Sequence, residues 1–187
     1  MKPFSHASLS ALLLALPLLV GPTCAKAATG TPAQSAPSVA SATAGNASVQ
    51  WVPLEDGMKR ASASGKYVFV TVYTDWCQYC RKLNTVTFKS KPVMAELAKN
   101  FQSVRVNAEG DKSVLWKGKK MTERQVAKVS WGVTGFPTML FISPKGEIIG
   151  SYSAYAEPEF MVQLLRYISS GARERKVSFD DFIEGKS

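Results

Sequence analysis

The apolar residues of the chain fall into alternating short dense runs and longer spaced ones. Lys66 to Thr74, KYVFVTVYT, is almost unbroken in β-branched and aromatic residues, which predicts a strand buried on both faces in the middle of a sheet. Gln102 to Ala108 predicts a second central strand, and Val49 to Leu54 a short extended segment. Thr138 to Ser143 and Glu147 to Ser153 flank the turn Pro144-Lys145-Gly146 and predict a hairpin. The spaced runs predict helices. One is a polar stretch from Glu55 to Ser64 that ends at Gly65; another begins at Cys77, with Cys80, Leu83 and Asn84 at helical spacing. After a break near Lys91-Pro92, the residues Val93, Leu97 and Phe101 form one apolar face. Thr122 to Trp131 and Pro158 to Ser170 complete the set, the latter with Phe160, Leu164 and Ile168 four apart. Lys117-Gly118-Lys119-Lys120 reads as a solvated loop. Strands that alternate with helices and close on a hairpin and a helix predict an α/β fold, a central mixed sheet flanked by helices on both faces.

The N-terminus departs from this pattern. A Lys2 start, an apolar run from about Leu9 to Val20 and the small-residue pattern Ala25-Lys26-Ala27 read as a secretory signal peptide over residues 1–27, with an uncleaved anchor as the lesser alternative. Residues 28–48 are nearly all Ala, Ser, Thr, Gly and Pro and read as a flexible linker that can bury no core. The folded domain is expected over 49–171 and a C-terminal extension over 172–187. Export places the protein, soluble, in the periplasm.

That leader changes the candidate chemistry. Cleavage after Ala27 removes Cys24 and His6, the sole histidine of the 187 residues, and leaves two cysteines, Cys77 and Cys80. A mature chain without histidine has no Ser-His or Cys-His nucleophile pair, and two thiolates do not complete a four-ligand zinc site. The formal charge of +9 falls by two on cleavage and is interleaved with acids; nucleic-acid binding has no motif behind it.

The pair lies in Asp75-Trp76-Cys77-Gln78-Tyr79-Cys80, directly after the first central strand. Cysteines at i and i+3 on a helix share a face and are close enough for a disulfide. Such a bridge closes a very short loop, restrains the unfolded chain little and makes a poor structural staple. In an oxidising compartment the bond can form and persist. A strand-to-helix junction places Cys77 at a helix N-terminus, where free N–H groups stabilise a thiolate, so Cys77 is the expected nucleophile and Cys80, one turn inside and better shielded, the resolving thiol.

Trp76-Cys77-Gln78-Tyr79-Cys80, Asn107 and Gly135-Phe136-Pro137-Thr138 together resemble the thioredoxin superfamily over roughly Val49 to Gly171. DWCQYCRKLNTVTFKSKPVMAEL is most similar to the periplasmic C-terminal domain of the bacterial membrane thiol:disulfide interchange reductase and to related secreted proteins, and SFDDFI (Ser178 to Ile183) to the C-terminal extension of some of them. The resemblance implies a thioredoxin-like fold, a cis Pro137 facing the disulfide, and a backbone at Phe136 that pairs with an extended substrate. Trp76, Tyr79, Phe136 and Thr138 are the expected substrate contacts. Two departures stand out. The family places a buried acid six residues before the first cysteine, where this chain has Thr71, and Gln78-Tyr79 differs from the Gly-Pro of thioredoxin. A basic residue near the site falls at Arg105, or a solvated strand-end arginine stands there. Asp75 is expected as an exposed residue of the helix N-terminus.

The implied function is that of an exported thiol:disulfide oxidoreductase, reductive in direction, with no cofactor beyond its own disulfide and no metal. Protein thiols and disulfides are the expected substrates and a membrane or soluble thiol reductase the expected electron donor; a monomer is expected. The alternative is an assembly factor or Cu(I) metallochaperone that uses the same two thiolates.

Overall fold

A computed structural model describes residues 48–186. The signal-peptide and linker segments lie outside the described residues, Ser48 excepted. β1 (Trp51–Val52), β2 (Tyr67–Tyr73), β3 (Phe101–Asn107), β6 (Thr138–Ile142) and β7 (Ile148–Tyr152) form a five-stranded sheet in the order β1-β3-β2-β6-β7. The first three strands run parallel to one another, β6 is antiparallel to β2, and β7 is antiparallel to β6. KYVFVTVYT thus supplies the middle strand, as its unbroken apolar character predicts.

Alternation along β2 divides the core in two. Val68, Val70 and Val72, with Val104, Val106, Leu140 and Ile142, point to the side covered by α1 (Leu54–Ser64). Phe69, Phe101, Met139 and Phe141 point to the other side, covered by α2 (Gln78–Thr85), α3 (Lys91–Asn100) and α5 (Pro158–Ser169). Helices on both faces of a mixed sheet make this an α/β sandwich, as the sequence pattern predicts. α1 stops at Gly65, whose φ of 69° is the left-handed cap that glycine adopts without strain.

The helix breaks differ from expectation in one place. The chain leaves α2 at Val86 and makes a 3₁₀ turn at Thr87–Lys89, before Lys91-Pro92 rather than at it. Thr87 is buried and donates its hydroxyl to Ala156 O at 2.7 Å, which holds the turn against the start of α5. Pro92 lies in the first turn of α3, where a missing N–H costs nothing. Phe101, expected on the helix face, opens β3.

The lysine-rich stretch is a correction. Ser113–Trp116 (β4) and Lys119–Thr122 (β5) pair as an antiparallel ribbon around a two-residue turn at Lys117-Gly118, with φ of 48° and 78°. Two left-handed residues are what a tight hairpin needs to match strand twist. The ribbon is anchored by buried Trp116, edge-to-face on Trp131 at 5.3 Å, while its lysines remain exposed. α4 (Glu123–Gln125) follows from a capping box of Thr122 and Gln125 and widens into a π turn, Val126–Ser130. At the other end α6 (Phe179–Ile183), capped by Ser178, lays Phe179 and Phe182 on Tyr167 of α5. No helix among the described residues is long and apolar enough to cross a membrane.

Candidate functional site

β2 delivers the chain to the site. Past Tyr73 it turns through Thr74 to Trp76, and Cys77 is the N-cap of α2. Cys77 and Cys80 are joined by a disulfide with Cα atoms 5.2 Å apart, and the Cys80 backbone N–H donates to Cys77 Sγ at 3.1 Å. A sulfur that accepts a helix N-terminal N–H is stabilised as an anion once the bond is reduced. The expected difference in shielding is absent: Cys77 is 4% exposed and Cys80 6%, because the bond holds both sulfurs against the same helix turn. Asp75 is also displaced from expectation. It stands in the turn ahead of the N-cap rather than in the helix, and accepts from Asn107 Nδ2 at 3.1 Å.

The second motif arrives on β6. Val72 is opposite Thr138 in the antiparallel register, so the residues just before β6 lie beside those just after β2. The Phe136–Pro137 peptide bond is cis and Pro137 is buried. Phe136 meets Trp76 edge-to-face at 6.0 Å. Thr138 is buried, with its hydroxyl donated to Gly135 O at 2.8 Å and 2.9 Å from the Ser153 hydroxyl, so its side chain is engaged by the protein itself.

A comparison with protein families matches residues 54–169 to the thioredoxin-like domain. The chain belongs to the thioredoxin-like domain family. Among curated relatives, protein disulfide isomerase-like 1-1 of Arabidopsis thaliana is 33% identical over 86 residues, 46% of this chain and 14% of that protein. The thiol:disulfide interchange protein DsbD of Pseudoalteromonas atlantica is 28% identical over 102 residues, 52% of this chain and 15% of that protein. The match thus spans about a seventh of the length of either relative. Among solved structures, a thioredoxin from Thermus thermophilus superposes with a TM-score of 0.54 at 23% identity, over 66% of this chain and 89% of that one. The superfamily resemblance read from the motifs is thereby established, and with it the thioredoxin-like fold.

Around its disulfide this thioredoxin-like domain presents two aromatic walls. Trp76 is 63% exposed and donates Nε1 to both carboxylate oxygens of Glu109 at 3.1 Å. Glu109 is in turn fixed by its own N–H, which donates to Asn107 Oδ1 at 2.9 Å. On the far side Tyr79, 62% exposed, faces Tyr155 with ring centres 6.3 Å apart. Glu157 binds the Tyr155 hydroxyl and the Lys82 ammonium, which also sits 4.2 Å above the Tyr155 ring. The Glu157 hydrogen bond raises the Lys82 pKa above its ordinary value. Glu109, Tyr155 and Glu157 are site residues that sequence reasoning missed.

Thr71 is buried on the face of β2 that carries Phe69, and the parallel register sets Arg105 directly beside it. Arg105 is no solvated strand-end arginine. Its guanidinium lies over Tyr73 at 4.6 Å and Trp51 at 5.2 Å, and its Nε is buried. Further out, Glu123 is pushed above the ordinary carboxyl range by burial, against the opposing pull of Lys112 and the Asn107 backbone. Among the described residues no three of His, Cys, Asp and Glu come together as a metal group.

Proposed function

We propose that the protein is an exported thiol:disulfide oxidoreductase that reduces protein disulfides through Cys77 and Cys80. The observation that carries this reading is the Cys77–Cys80 disulfide at the N-terminus of α2, at the sheet end where cis Pro137 also stands. In the reduced protein the Cys77 thiolate attacks a substrate disulfide, forms a mixed disulfide and expels one substrate sulfur as a thiolate, which takes up a proton. Cys80 then gives up its proton and attacks Cys77 Sγ. The second substrate sulfur leaves, and the Cys77–Cys80 bond forms as the substrate gains two electrons. Pro137 lines the approach to the disulfide and the Phe136 backbone pairs with the extended substrate; Trp76 and Tyr79 receive flanking side chains. A thiol reductase, membrane-bound or soluble, returns the electrons, and no further cofactor is required.

Export and direction belong to the same proposal: the leader pattern of residues 1–27 supports the periplasm, and the likeness to a DsbD protein supports reduction. The test is the equilibrium reduction potential of the pair against glutathione. A value close to thioredoxin, about −270 mV, is expected, and one close to the strong oxidants, about −120 mV, reverses the direction. Stoichiometric Cu(I) binding without any exchange activity would establish the metallochaperone instead.

A further inference from the structure

Away from the disulfide, an open groove of about 730 Å³ runs between the edge strand β7, α5 and the segment that leads into α6, a size suited to a small molecule. Buried Phe141, Leu164, Tyr167 and Ile168 form its floor, and its walls include Phe160 and Phe179, edge-to-face at 5.5 Å. Tyr167 offers only its ring, because its hydroxyl is donated to Val177 O at 2.7 Å. The rim carries charge. Arg173 and Lys176 are exposed, line the groove and join no ion pair among the described residues. Glu174, the one acid of the lining among the described residues, accepts from the Tyr67 hydroxyl at 3.0 Å, and the rim keeps a net positive charge. Lys176 stands at a φ of 64°, a left-handed conformation that costs a lysine energy and a glycine none. Its N–H donates to Arg173 O at 2.9 Å and the Val177 N–H to Ala172 O at 3.0 Å, which fixes the turn. A lysine kept where glycine would relax the backbone points to a use for its ammonium.

The same segment decides what can lie in the groove. Arg173 donates Nε to Ile149 O, and β7 shifts register against β6 at Phe141 and Ile142. With Ile149 O engaged, an added peptide strand would find no continuous ladder along the outer edge of β7. An alkyl chain needs no ladder. We propose that this groove binds a single-chain carboxylate amphiphile, its alkyl chain on Phe160, Phe179 and the buried floor and its carboxylate against Lys176 and Arg173.

The test is a titration of the full chain with monomeric dodecanoate, followed by backbone amide resonances. Those of Gly150, Ser151 and Phe179 should shift together and saturate, while those of Trp76 and Gln78 stay in place. Decanoate, shorter by two methylenes, should bind roughly tenfold more weakly, since a fully buried methylene is worth about fourfold. Dodecyltrimethylammonium should also bind about tenfold more weakly than dodecanoate, because attraction at the rim becomes repulsion. Lys176→Gly, which the left-handed φ favours, should weaken dodecanoate about threefold, the range of an exposed ion pair, with the thermal midpoint kept or raised. Ser151→Trp sets a ring over the exposed mouth of the groove and should abolish the shifts. Equal affinity for the two head groups, unchanged affinity in Lys176→Gly, or shifts that survive Ser151→Trp overturn the assignment; should Ser151→Trp not fold, the other two comparisons decide. Shifts with phosphatidylglycerol vesicles and none with monomeric dodecanoate would make the ligand a membrane surface and likewise overturn it.

Discussion

The smallest scale carries the chemistry, and there the motifs were legible while their supports were not. Cys77, Cys80 and Pro137 stand in short patterns whose spacing has meaning. Glu109 meets Trp76 across 33 residues of chain and Glu157 meets Lys82 across 75, distances over which a sequence gives no hint of contact. Arg105 was legible as a residue near the site, whereas its burial over two rings depends on the β2–β3 register. These supports can be measured. Glu109→Ala frees the Trp76 indole from a hydrogen bond that is largely exposed, about 0.5–1 kcal/mol, so KM for a peptide disulfide should rise about threefold with kcat little changed. An unchanged KM would remove Trp76 positioning from the account. Glu123 gives a pH signature. Its folded pKa lies above the ordinary 4.5, so the folded state holds the proton more tightly, and this group's effect on stability falls as pH rises from about that value through the raised one. Glu123→Gln should abolish that part of the slope in urea unfolding measured across the acid range.

At the scale of elements, the two central strands, the closing hairpin and the long helix were all predicted, because each buries a continuous or regularly spaced apolar set. β4 and β5 were missed for an equally physical reason. A two-stranded ribbon on the surface has one dry side, and here that side is little more than Val114, Trp116 and Met121 among exposed lysines. The signal was the Lys117-Gly118 pair, which suits a left-handed two-residue turn. Substituting Gly118 by Val should therefore destabilise the ribbon without touching the disulfide, and a lowered thermal midpoint with unchanged thiol reactivity checks it. The central strand sets a larger stake. Phe69 is fully buried among Trp51, Phe88, Phe101 and Phe141, and Phe69→Ala should cost about 3–5 kcal/mol in denaturant unfolding.

Across the whole molecule, sheet order brings together what the chain keeps apart. β2 lies between β3 and β6, so the cysteine turn, the Asn107–Glu109 segment and the Phe136–Pro137 bond gather at one end of the sheet. The function we propose rests on that gathering, with Cys77 proposed as the attacking and Cys80 as the resolving thiol. The direct measurement is covalent trapping. Reduced Cys80→Ser protein, offered a protein disulfide, should accumulate a one-to-one adduct through Cys77 that dithiothreitol releases, and Cys77→Ser protein should accumulate far less. No adduct with Cys80→Ser, or an adduct carried equally well by Cys80, would contradict the account.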